Sequence, residues 1–261
     1  MSHRPRKRFG QNFLHDPGII RRIVDAIDPR PGDRLVEIGP GRGALTAPLL
    51  ARVDHLEAVE LDRDLIPALQ QLATETGNLI IHNADALRFD FCSLQQGDVK
   101  LRLVGNLPYN ISTPLLFHLM DQLECIEDMH FMLQQEVVNR LTANPGSKAY
   151  GRLGVMLQYY CRAERLFGVP PGAFTPPPKV DSAIVRLVPH AEPPVAINDV
   201  KKFAWLVNHL FSQRRKMLRH SLKGHLDQMQ LQELDIDPTD RPEQLDLAAF
   251  ARLANAIDQS S

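Results

Sequence analysis

The chain has few cysteines and no long apolar segment. Its three cysteines, Cys92, Cys125 and Cys161, are far apart and form no CxxC pair. This spacing argues against a disulfide framework and a zinc site, so we expect three reduced thiols and no metal. No apolar run approaches the roughly 20 residues that span a bilayer, and the basic amino terminus lacks the apolar core of a secretory signal. We therefore expect a cytoplasmic protein without membrane association.

The net charge of −1 conceals two basic clusters that contain no acid. The first cluster comprises Arg4, Arg6, Lys7 and Arg8. The second, the segment 213–223, comprises Arg214, Arg215, Lys216, Arg219 and Lys223. Basic clusters on a nearly neutral chain favour a polyanionic partner, and nucleic acid is the preferred interpretation. The alternative is that each cluster is an ordinary solvated surface.

Strand-like and helix-like patterns alternate between residues 34 and 133. Short apolar runs predict strands at 34–38, 56–61, 79–81, 101–104 and 129–133. Such alternation predicts a parallel α/β sheet that binds ligands at the carboxyl ends of its strands. A further β-branched run follows at 183–188, and helical patterns dominate from 200 to 257. We therefore predict one α/β domain over residues 1–190 and a small helical domain over residues 191–261.

A glycine-rich loop follows the first predicted strand. Gly39, Gly41 and Gly43 let the backbone pass close to a ligand, and the next helix directs its amino-terminal amides towards it. Gly39, Gly41 and Ala44 also match the G-x-G-x-x-A spacing of dinucleotide-binding folds. An NAD-dependent oxidoreductase is therefore one alternative, and a tight strand–helix turn without a ligand is another.

The next two strands end in carboxylates. Glu60 can accept hydrogen bonds from the ribose hydroxyls of a nucleoside cofactor, with Asp62 as a possible substitute. Asp85 could accept a hydrogen bond from the exocyclic amine of adenine, or it could cap a short turn. The glycine loop, the ribose acid and the third-strand aspartate together predict a site for S-adenosylmethionine.

The fourth strand ends in the sequence GNLPYN (105–110). The side-chain oxygen of Asn106 and the carbonyl of Pro108 could accept the two N–H bonds of a weakly nucleophilic amine such as N6 of adenine. Tyr109 could stack on a base taken out of its helix, and Phe174, between prolines, could cover the other face. Positioning would then carry most of the catalysis, without a strong general base. The alternatives are a strand-end turn with a buried tyrosine and a core phenylalanine.

These segments resemble the KsgA/RsmA family of bacterial small-subunit ribosomal RNA adenine dimethyltransferases. The resemblance extends from residue 6 to residue 222 through RKRFGQNFL, VEIGPGRGALT, VELD, NADAL, GNLPYNISTPLL, PPGAFTPPPKVDSAIVRL and LFSQRRKMLRHSL. It implies a Rossmann-like class I S-adenosylmethionine-dependent methyltransferase sheet with a small C-terminal all-helical domain. It also implies that S-adenosylmethionine supplies methyl groups to N6 of two adjacent adenosines in the loop of the 3′-terminal hairpin of small-subunit rRNA.

The resemblance also implies roles for particular residues. The cofactor contacts it implies are Asn12, Leu14, Gly39, Gly41, Glu60, Asp85 and Asn106. The reacting amine and its base are assigned to Asn106, Pro108, Tyr109 and Phe174. The expected rRNA contacts are Arg6, Lys7, Arg8, Arg214, Arg215, Lys216 and Arg219. We expect a monomer that acts on a late precursor of the small ribosomal subunit.

Two further classes remain as alternatives. A large-subunit rRNA adenine methyltransferase of the antibiotic-resistance type shares the fold and a similar Asn-x-Pro-aromatic motif. The residues of the segments NLPYNISTP, FTPPPKVDS and SQRRK favour the small-subunit enzyme. A non-catalytic RNA-binding or assembly factor on the same fold would be expected to have lost the glycine loop, Glu60 or NLPY, and all of these are intact.

Overall fold

The computed structural model describes residues 11–259, so the predicted RNA contacts Arg6, Lys7 and Arg8 lie outside the described residues. The strands are β1 (Phe13–Leu14), β2 (Arg34–Ile38), β3 (Leu56–Val59), β4 (Leu79–His82), β5 (Leu101–Asn106), β6 (Ile126–Gln134), β7 (Cys161–Val169), β8 (Phe174–Thr175) and β9 (Ser182–Pro189). The helices are α1 (Pro17–Ile27), α2 (Thr46–Leu50), α3 (Ile66–Thr76), α4 (Ser112–Met120), α5 (Gln135–Leu141), α6 (Arg152–Tyr160), α7 (Val200–Ser212), α8 (Leu218–Ser221), α9 (Gln228–Glu233) and α10 (Leu247–Gln259).

Seven of these strands form one sheet in the order β4-β3-β2-β5-β6-β9-β7. The first five in this order are parallel, as the sequence predicts, and β9 is antiparallel to β6. Four of the five residues of β2 are buried, because a parallel strand covered on both faces has no solvent side. Strand β7 was not predicted, since its charged residues interrupt the apolar pattern.

The order of the strands places a ligand site between β2 and β5. From β2 the chain adds β3 and β4 on one side of the sheet, and it then crosses over to add β5 and β6 on the other side of β2. The strand order therefore reverses between β2 and β5. In open α/β sheets such a reversal leaves a crevice at the carboxyl ends of the two strands. The glycine loop after β2 and Asn106 at the end of β5 both lie at this crevice.

A separate two-stranded sheet fixes the segment that precedes α1. Strands β1 and β8 are antiparallel, with Leu14 opposite Phe174. Helix α1 then begins at Pro17, where the carboxylate of Asp16 accepts the N–H of Ile19 at 2.8 Å. This cap satisfies an amide that the first helical turn leaves without a partner.

The chain divides into two compact units. The first contains the described residues up to 138 together with 164–189, and the second contains 139–163 together with the described residues from 190 onward. The domain prediction placed 139–163 in the first domain. In the second unit, Tyr159 of α6 packs against Phe203 of α7 with ring centroids 5.3 Å apart. An apolar pattern alone does not tell which helix a segment will pack against.

The prediction of three reduced thiols is wrong for two of the cysteines. Cys92 and Cys125 form a disulfide, with Cα atoms 5.4 Å apart. One lies in the turn after β4 and the other in the turn before β6, and the fold brings these turns together across 33 residues of sequence. Cys161 is a buried free thiol, and burial raises its pKa to about 12.

The second basic cluster lies in the region of predicted helical pattern, but it does not lie on one continuous helix. Helix α7 ends at Ser212, a turn follows, and α8 contains only Leu218–Ser221. Within residues 11–259, we find no helix with the length and apolar character that a membrane crossing needs.

Candidate active site

A cleft lies at the carboxyl ends of β2, β3 and β5. Most of the residues that the sequence predicts for the cofactor and the reacting amine line it. They are Asn12, Leu14, Gly39, Gly41, Glu60, Asn106, Pro108 and Tyr109. The fold therefore brings together residues from four separate segments of the sequence.

The glycine loop takes a backbone conformation that favours glycine. Gly39 and Gly41 have φ angles of 68° and 59°, a region that other L-residues rarely enter. A Cβ on Gly41 would lie 3.3 Å from the ring of Phe13, which forms part of the cleft wall. The loop thus passes close to the wall without a side chain between them.

Glu60 is a buried carboxylate that backbone amides hold in place. Its Oε2 accepts the N–H of Gly41 at 3.1 Å, and its Oε1 accepts the N–H of Asp62 at 2.8 Å. Burial raises the pKa of Glu60 above its ordinary value. Each carboxylate oxygen can accept a second hydrogen bond, so Glu60 can still receive hydroxyl groups from a ligand in the cleft.

Residues 11–14 form one wall of the cleft, and the side chains of Asp62 and Asn106 hold this wall. The Nε2 of Gln11 donates to Oδ2 of Asp62 at 2.8 Å. The Nδ2 of Asn106 donates to the carbonyl oxygen of Asn12 at 3.1 Å. Because the amide nitrogen of Asn106 faces Asn12, its Oδ1 points in another direction as an acceptor.

The segment after Asn106 turns sharply into α4. The carbonyl oxygen of Pro108 accepts the N–H of Ile111 at 3.1 Å, and it can still accept a second hydrogen bond. The hydroxyl of Tyr109 lies 2.7 Å from Oγ of Ser182 on β9. Burial raises the pKa of the Tyr109 hydroxyl above its usual value near 10, so this group stays neutral at physiological pH.

Gly105 brings β5 close to β2. A Cβ at this position would overlap the main-chain carbonyl oxygen of Ile38. Gly105 directly precedes NLPYN, but this close approach could not be predicted from its position in the sequence. Its contact fixes the spacing between the strand that carries the glycine loop and the strand that carries Asn106.

Glu37 is a further buried carboxyl in the cleft, and it was not predicted from the sequence. It is 2% exposed, and the hydroxyl of Thr46 donates to its Oε2 at 2.7 Å. Burial raises the pKa of Glu37 to about 7, with a contribution from the negative charge of Glu60. The sequence feature that could have identified Glu37 is an acid within the apolar strand RLVEI (34–38).

Two predicted site residues do not line the cleft. Asp85 accepts the N–H of Leu87 at 3.0 Å through Oδ1, which is the turn-capping geometry of its alternative interpretation. Its neighbour Ala86 lies in the cleft wall. Phe174 is 3% exposed and belongs to the hydrophobic core that includes Leu14. The structure thus places Phe174 in the core position that was its alternative.

The described residues of the second basic cluster differ in their surroundings. Arg214 forms an ion pair with Glu243 and donates to the carbonyl oxygen of Lys148 at 3.0 Å. Arg215 and Lys216 are exposed, and Arg219 is half-buried. Among residues 11–259 there is no group of three or more His, Cys, Asp or Glu side chains positioned to hold a metal ion.

Comparisons with known proteins identify relatives over nearly the whole chain. The family model described as ribosomal RNA adenine dimethylase matches residues 2–259. The chain is 59% identical to "Ribosomal RNA small subunit methyltransferase A" of Pseudomonas aeruginosa, covering 98% of this chain and 95% of that protein. The protein of the same name from Marinomonas sp. is 56% identical, with 98% and 96% covered.

Solved structures confirm the predicted methyltransferase fold. A dimethyladenosine transferase from Plasmodium falciparum superposes with a TM-score of 0.79 at 26% identity, covering 92% of this chain and 95% of the other. The 23S rRNA methyltransferase ErmE superposes with a TM-score of 0.75 at 26% identity, covering 95% and 100%. With this fold and the full-length family match, the chain belongs to the ribosomal RNA adenine dimethylase family.

Proposed function

We propose that the protein transfers methyl groups from S-adenosylmethionine to N6 of two adjacent adenosines in the loop of the 3′-terminal hairpin of small-subunit rRNA. The observation that carries this proposal is the common cleft of Asn106, Pro108 and Tyr109 with Gly39 and Glu60. A polar turn suited to an amine therefore faces a pocket suited to a nucleoside. The 59% identity to a small-subunit methyltransferase supports the choice of subunit.

The cleft fits S-adenosylmethionine in its chemistry. Glu60 would hold the ribose, the glycine loop would face the methionine end, and Leu14 and Ala86 offer apolar surface for adenine. The buried carboxyl of Glu37 beside Glu60 suits a ligand that carries positive charge. When bound, S-adenosylmethionine supplies a methyl group on a positively charged sulfur. We retain Asp85 as a proposed adenine contact, because its Oδ2 can accept while Oδ1 caps the turn.

Asn106 and Pro108 orient the amine. Oδ1 of Asn106 and the carbonyl oxygen of Pro108 accept the two N–H groups of adenine N6, so that the nitrogen lone pair faces the cleft. The hydrogen bond from Asn106 Nδ2 to the Asn12 carbonyl keeps the side-chain oxygen directed at the substrate. Well-positioned reactants lower a barrier by about 7–11 kcal/mol. The amine can release its proton to solvent once methylation has made its nitrogen cationic, so this arrangement needs no strong general base.

The ring of Tyr109 stacks on the adenine base after the base has left the RNA helix. Its ring lines the cleft while its hydroxyl is held by Ser182, and stacking on the ring offsets an unstacking cost of a few kcal/mol. Phe174 would have to leave its core position to cover the other face, so we assign the stacking role primarily to Tyr109.

The RNA partner is rRNA in a late precursor of the small subunit, bound by a cytoplasmic monomer. Phosphate contacts position such a complex without reading its sequence. Arg215 and Lys216 are exposed and suit this role, and Arg219 contributes from its half-buried position. Arg214 is bound by Glu243, so we propose that it supports the turn between α7 and α8.

Transfer of labelled methyl groups to each ribosomal precursor tests the proposal. With small-subunit and large-subunit precursors supplied separately, we expect label in small-subunit rRNA, recovered as N6,N6-dimethyladenosine by mass spectrometry. The likeness to ErmE, named a 23S rRNA methyltransferase, makes the large-subunit enzyme the second candidate. Label confined to large-subunit RNA would establish that candidate instead.

Replacement of Asn106 tests the chemistry of the turn. We expect Asn106→Ala to lower the rate of transfer by about 100- to 1000-fold, the usual effect of removing one preorganised polar group, while RNA affinity is retained. Gln70→Ala, which removes an exposed amide on α3, is the matched control and should transfer at the wild-type rate. Dimethylation by Asn106→Ala at the control rate would remove Asn106 from this role.

A further inference from the structure

An exposed tryptophan lies between two histidines on the second unit. Trp205 of α7 is 42% exposed and is the one tryptophan in the sequence. The ring of His209, one helical turn later, stacks on it at a centroid distance of 5.2 Å and an angle of 16°. The ring of His225 meets it edge-on at 5.2 Å and 71°. We call these three rings the aromatic platform.

The platform is held in a defined orientation. The Nε2 of His209 donates to the carbonyl oxygen of Ser221 at 2.8 Å. On the opposite side of α7, Phe203 and Leu210 are fully buried, so the helix cannot rotate to bury the indole. Much of the indole surface therefore faces solvent in a fixed position, although burying an aromatic side chain is usually favourable.

A basic cleft adjoins the platform. Arg219, His220, Lys223 and His225 line this cleft, and His225 also contacts Trp205. The same cleft contains Asp227, whose carboxylate accepts the N–H of Gln230 at 2.8 Å as the cap of α9. The lining of the cleft is thus positively charged on balance and continuous with an exposed aromatic surface.

We propose that the aromatic platform stacks an unpaired base of the rRNA substrate while Arg219 and Lys223 contact the neighbouring phosphates. An exposed ring beside basic side chains is the combination that binds single-stranded nucleic acid, because every base has a face that can stack and every nucleotide carries a negative charge. This inference rests on the proposed function for its RNA partner. It adds a second base-binding surface, on the unit that does not contain Asn106.

The fluorescence of Trp205 tests the proposal directly, since no other tryptophan contributes to the signal. A short single-stranded oligoribonucleotide should quench the emission in a saturable way, because a stacked base contacts the indole. The matched control is an oligonucleotide of equal length and charge that lacks its bases. We expect the control to cause little quenching, since phosphate contacts alone do not cover the ring.

Variants provide an independent measurement. Base–aromatic stacking contributes about 1–3 kcal/mol, which corresponds to roughly a 5- to 150-fold loss of affinity for the small-subunit precursor in Trp205→Ala. Trp205→Phe should retain most of the affinity because it keeps an aromatic face. Ile80→Ala, which removes an exposed apolar side chain of β4 in the first unit, should bind as the wild type does.

Three results would overturn the proposal. Equal quenching by the base-free oligonucleotide would show that charge alone brings RNA to the cleft. Quenching by neither oligonucleotide would show that unpaired bases do not occupy the platform. Wild-type affinity in Trp205→Ala would make the platform a structural feature only. Failure of the proposed function is distinguished separately, because the wild-type protein would then methylate no small-subunit rRNA whatever the fluorescence titration shows.

Discussion

The hydroxyl of Tyr109 is held by Ser182, a residue 73 positions away in the sequence. Ser182 is fully buried at the start of β9, where it pairs with Gln134 of β6. Its hydroxyl therefore cannot follow a moving tyrosine, and the bond fixes the tilt of the ring that lines the cleft. We interpret Ser182 as a positioning residue that acts through Tyr109.

A double-mutant cycle measures this coupling. A hydroxyl–hydroxyl bond is worth about 1 kcal/mol, so Ser182→Ala and Tyr109→Phe should each lower kcat by roughly 5-fold. The double variant should lose little more than either single variant, because both remove the same bond. In the proposed arrangement the bond orients the base and not the cofactor, so the KM for S-adenosylmethionine should not change. Steady-state methyl transfer provides both parameters.

The conservative variant Ser182→Thr is the control, because it keeps a hydroxyl at this position and should restore most of kcat. Losses that simply add in the double variant would contradict the coupling. A change in KM for the cofactor would show that Ser182 maintains the packing of the cleft and does not act through Tyr109 alone.

At the residue scale, sequence reasoning located the groups that directly follow a strand. Glu60 and Asn106 could be predicted to meet because the carboxyl ends of parallel strands share one edge of a sheet. The contact of Tyr109 with Ser182 could not be predicted, since it depends on the register of β9 against β6. The core position of Phe174 depends in the same way on the pairing of β8 with β1.

Strand β6 carries a buried histidine whose Nδ1 has no hydrogen-bond partner among the described residues. His130 is 3% exposed, and its Nδ1 lies 3.8 Å from Oδ1 of Asp128. Burial lowers the pKa of His130 to about 4, and the positive charges of Arg102 and Arg186 act in the same direction. The side chain is therefore neutral in the folded protein at physiological pH.

This pKa predicts how the stability of the sheet depends on pH. The unfolded chain binds a proton at His130 below its ordinary pKa of about 6.5, whereas the folded chain does so only below about 4. The contribution of His130 to the free energy of unfolding is thus fully present above pH 6.5 and is lost as the pH falls to about 4. The loss amounts to about 3 kcal/mol. Denaturant unfolding across this range measures the loss.

His130→Asn should show a correspondingly weaker dependence, because its side chain does not titrate there. Gln70→Ala, at an exposed position without a titratable group, should keep the wild-type dependence. An unchanged pH dependence in His130→Asn would show that other groups are responsible.

At the element scale, the five parallel strands were predicted within a few residues because each is a short apolar run between helical patterns. Strand β7 was missed because an edge strand needs few apolar residues. The break between α7 and α8 was missed because Gln213–Lys216 contains good helix formers. In the structure, Arg214 lies in the turn between α7 and α8 and forms a tertiary ion pair with Glu243.

For the whole molecule, charge is distributed unevenly on a nearly neutral chain. Such a chain attracts RNA through local clusters and not through its net charge. The association should then depend on salt, because each phosphate that a cationic side chain neutralises releases counterions.

The salt dependence separates the basic residues into two groups. On double-stranded rRNA, Arg215→Ala combined with Lys216→Ala should reduce the slope of log affinity against log salt by about 1.8. Arg214→Ala should instead lower the unfolding temperature, because it removes the partner of Glu243. Filter binding over a range of salt concentrations and thermal unfolding measure the two effects. Lys100→Ala, at an exposed residue of the first unit, is the control for both.

A flat salt response of the wild-type protein would contradict phosphate binding altogether. A slope reduced by Arg214→Ala but not by the Arg215 and Lys216 variant would reverse the assignment. The sequence could identify the cluster, but it could not separate its members, since the ion pair with Glu243 spans 29 residues.

Gly105 limits how the protein can be redesigned. Because a Cβ there would overlap the carbonyl oxygen of Ile38, main chain meets main chain between β5 and β2, and no side chain can serve as an adjustable spacer. Attempts to adapt the enzyme to bulkier amines therefore have no room at the centre of the sheet. They have to change the rim instead, where residues 11–14 close the cleft through side-chain hydrogen bonds that substitution can alter.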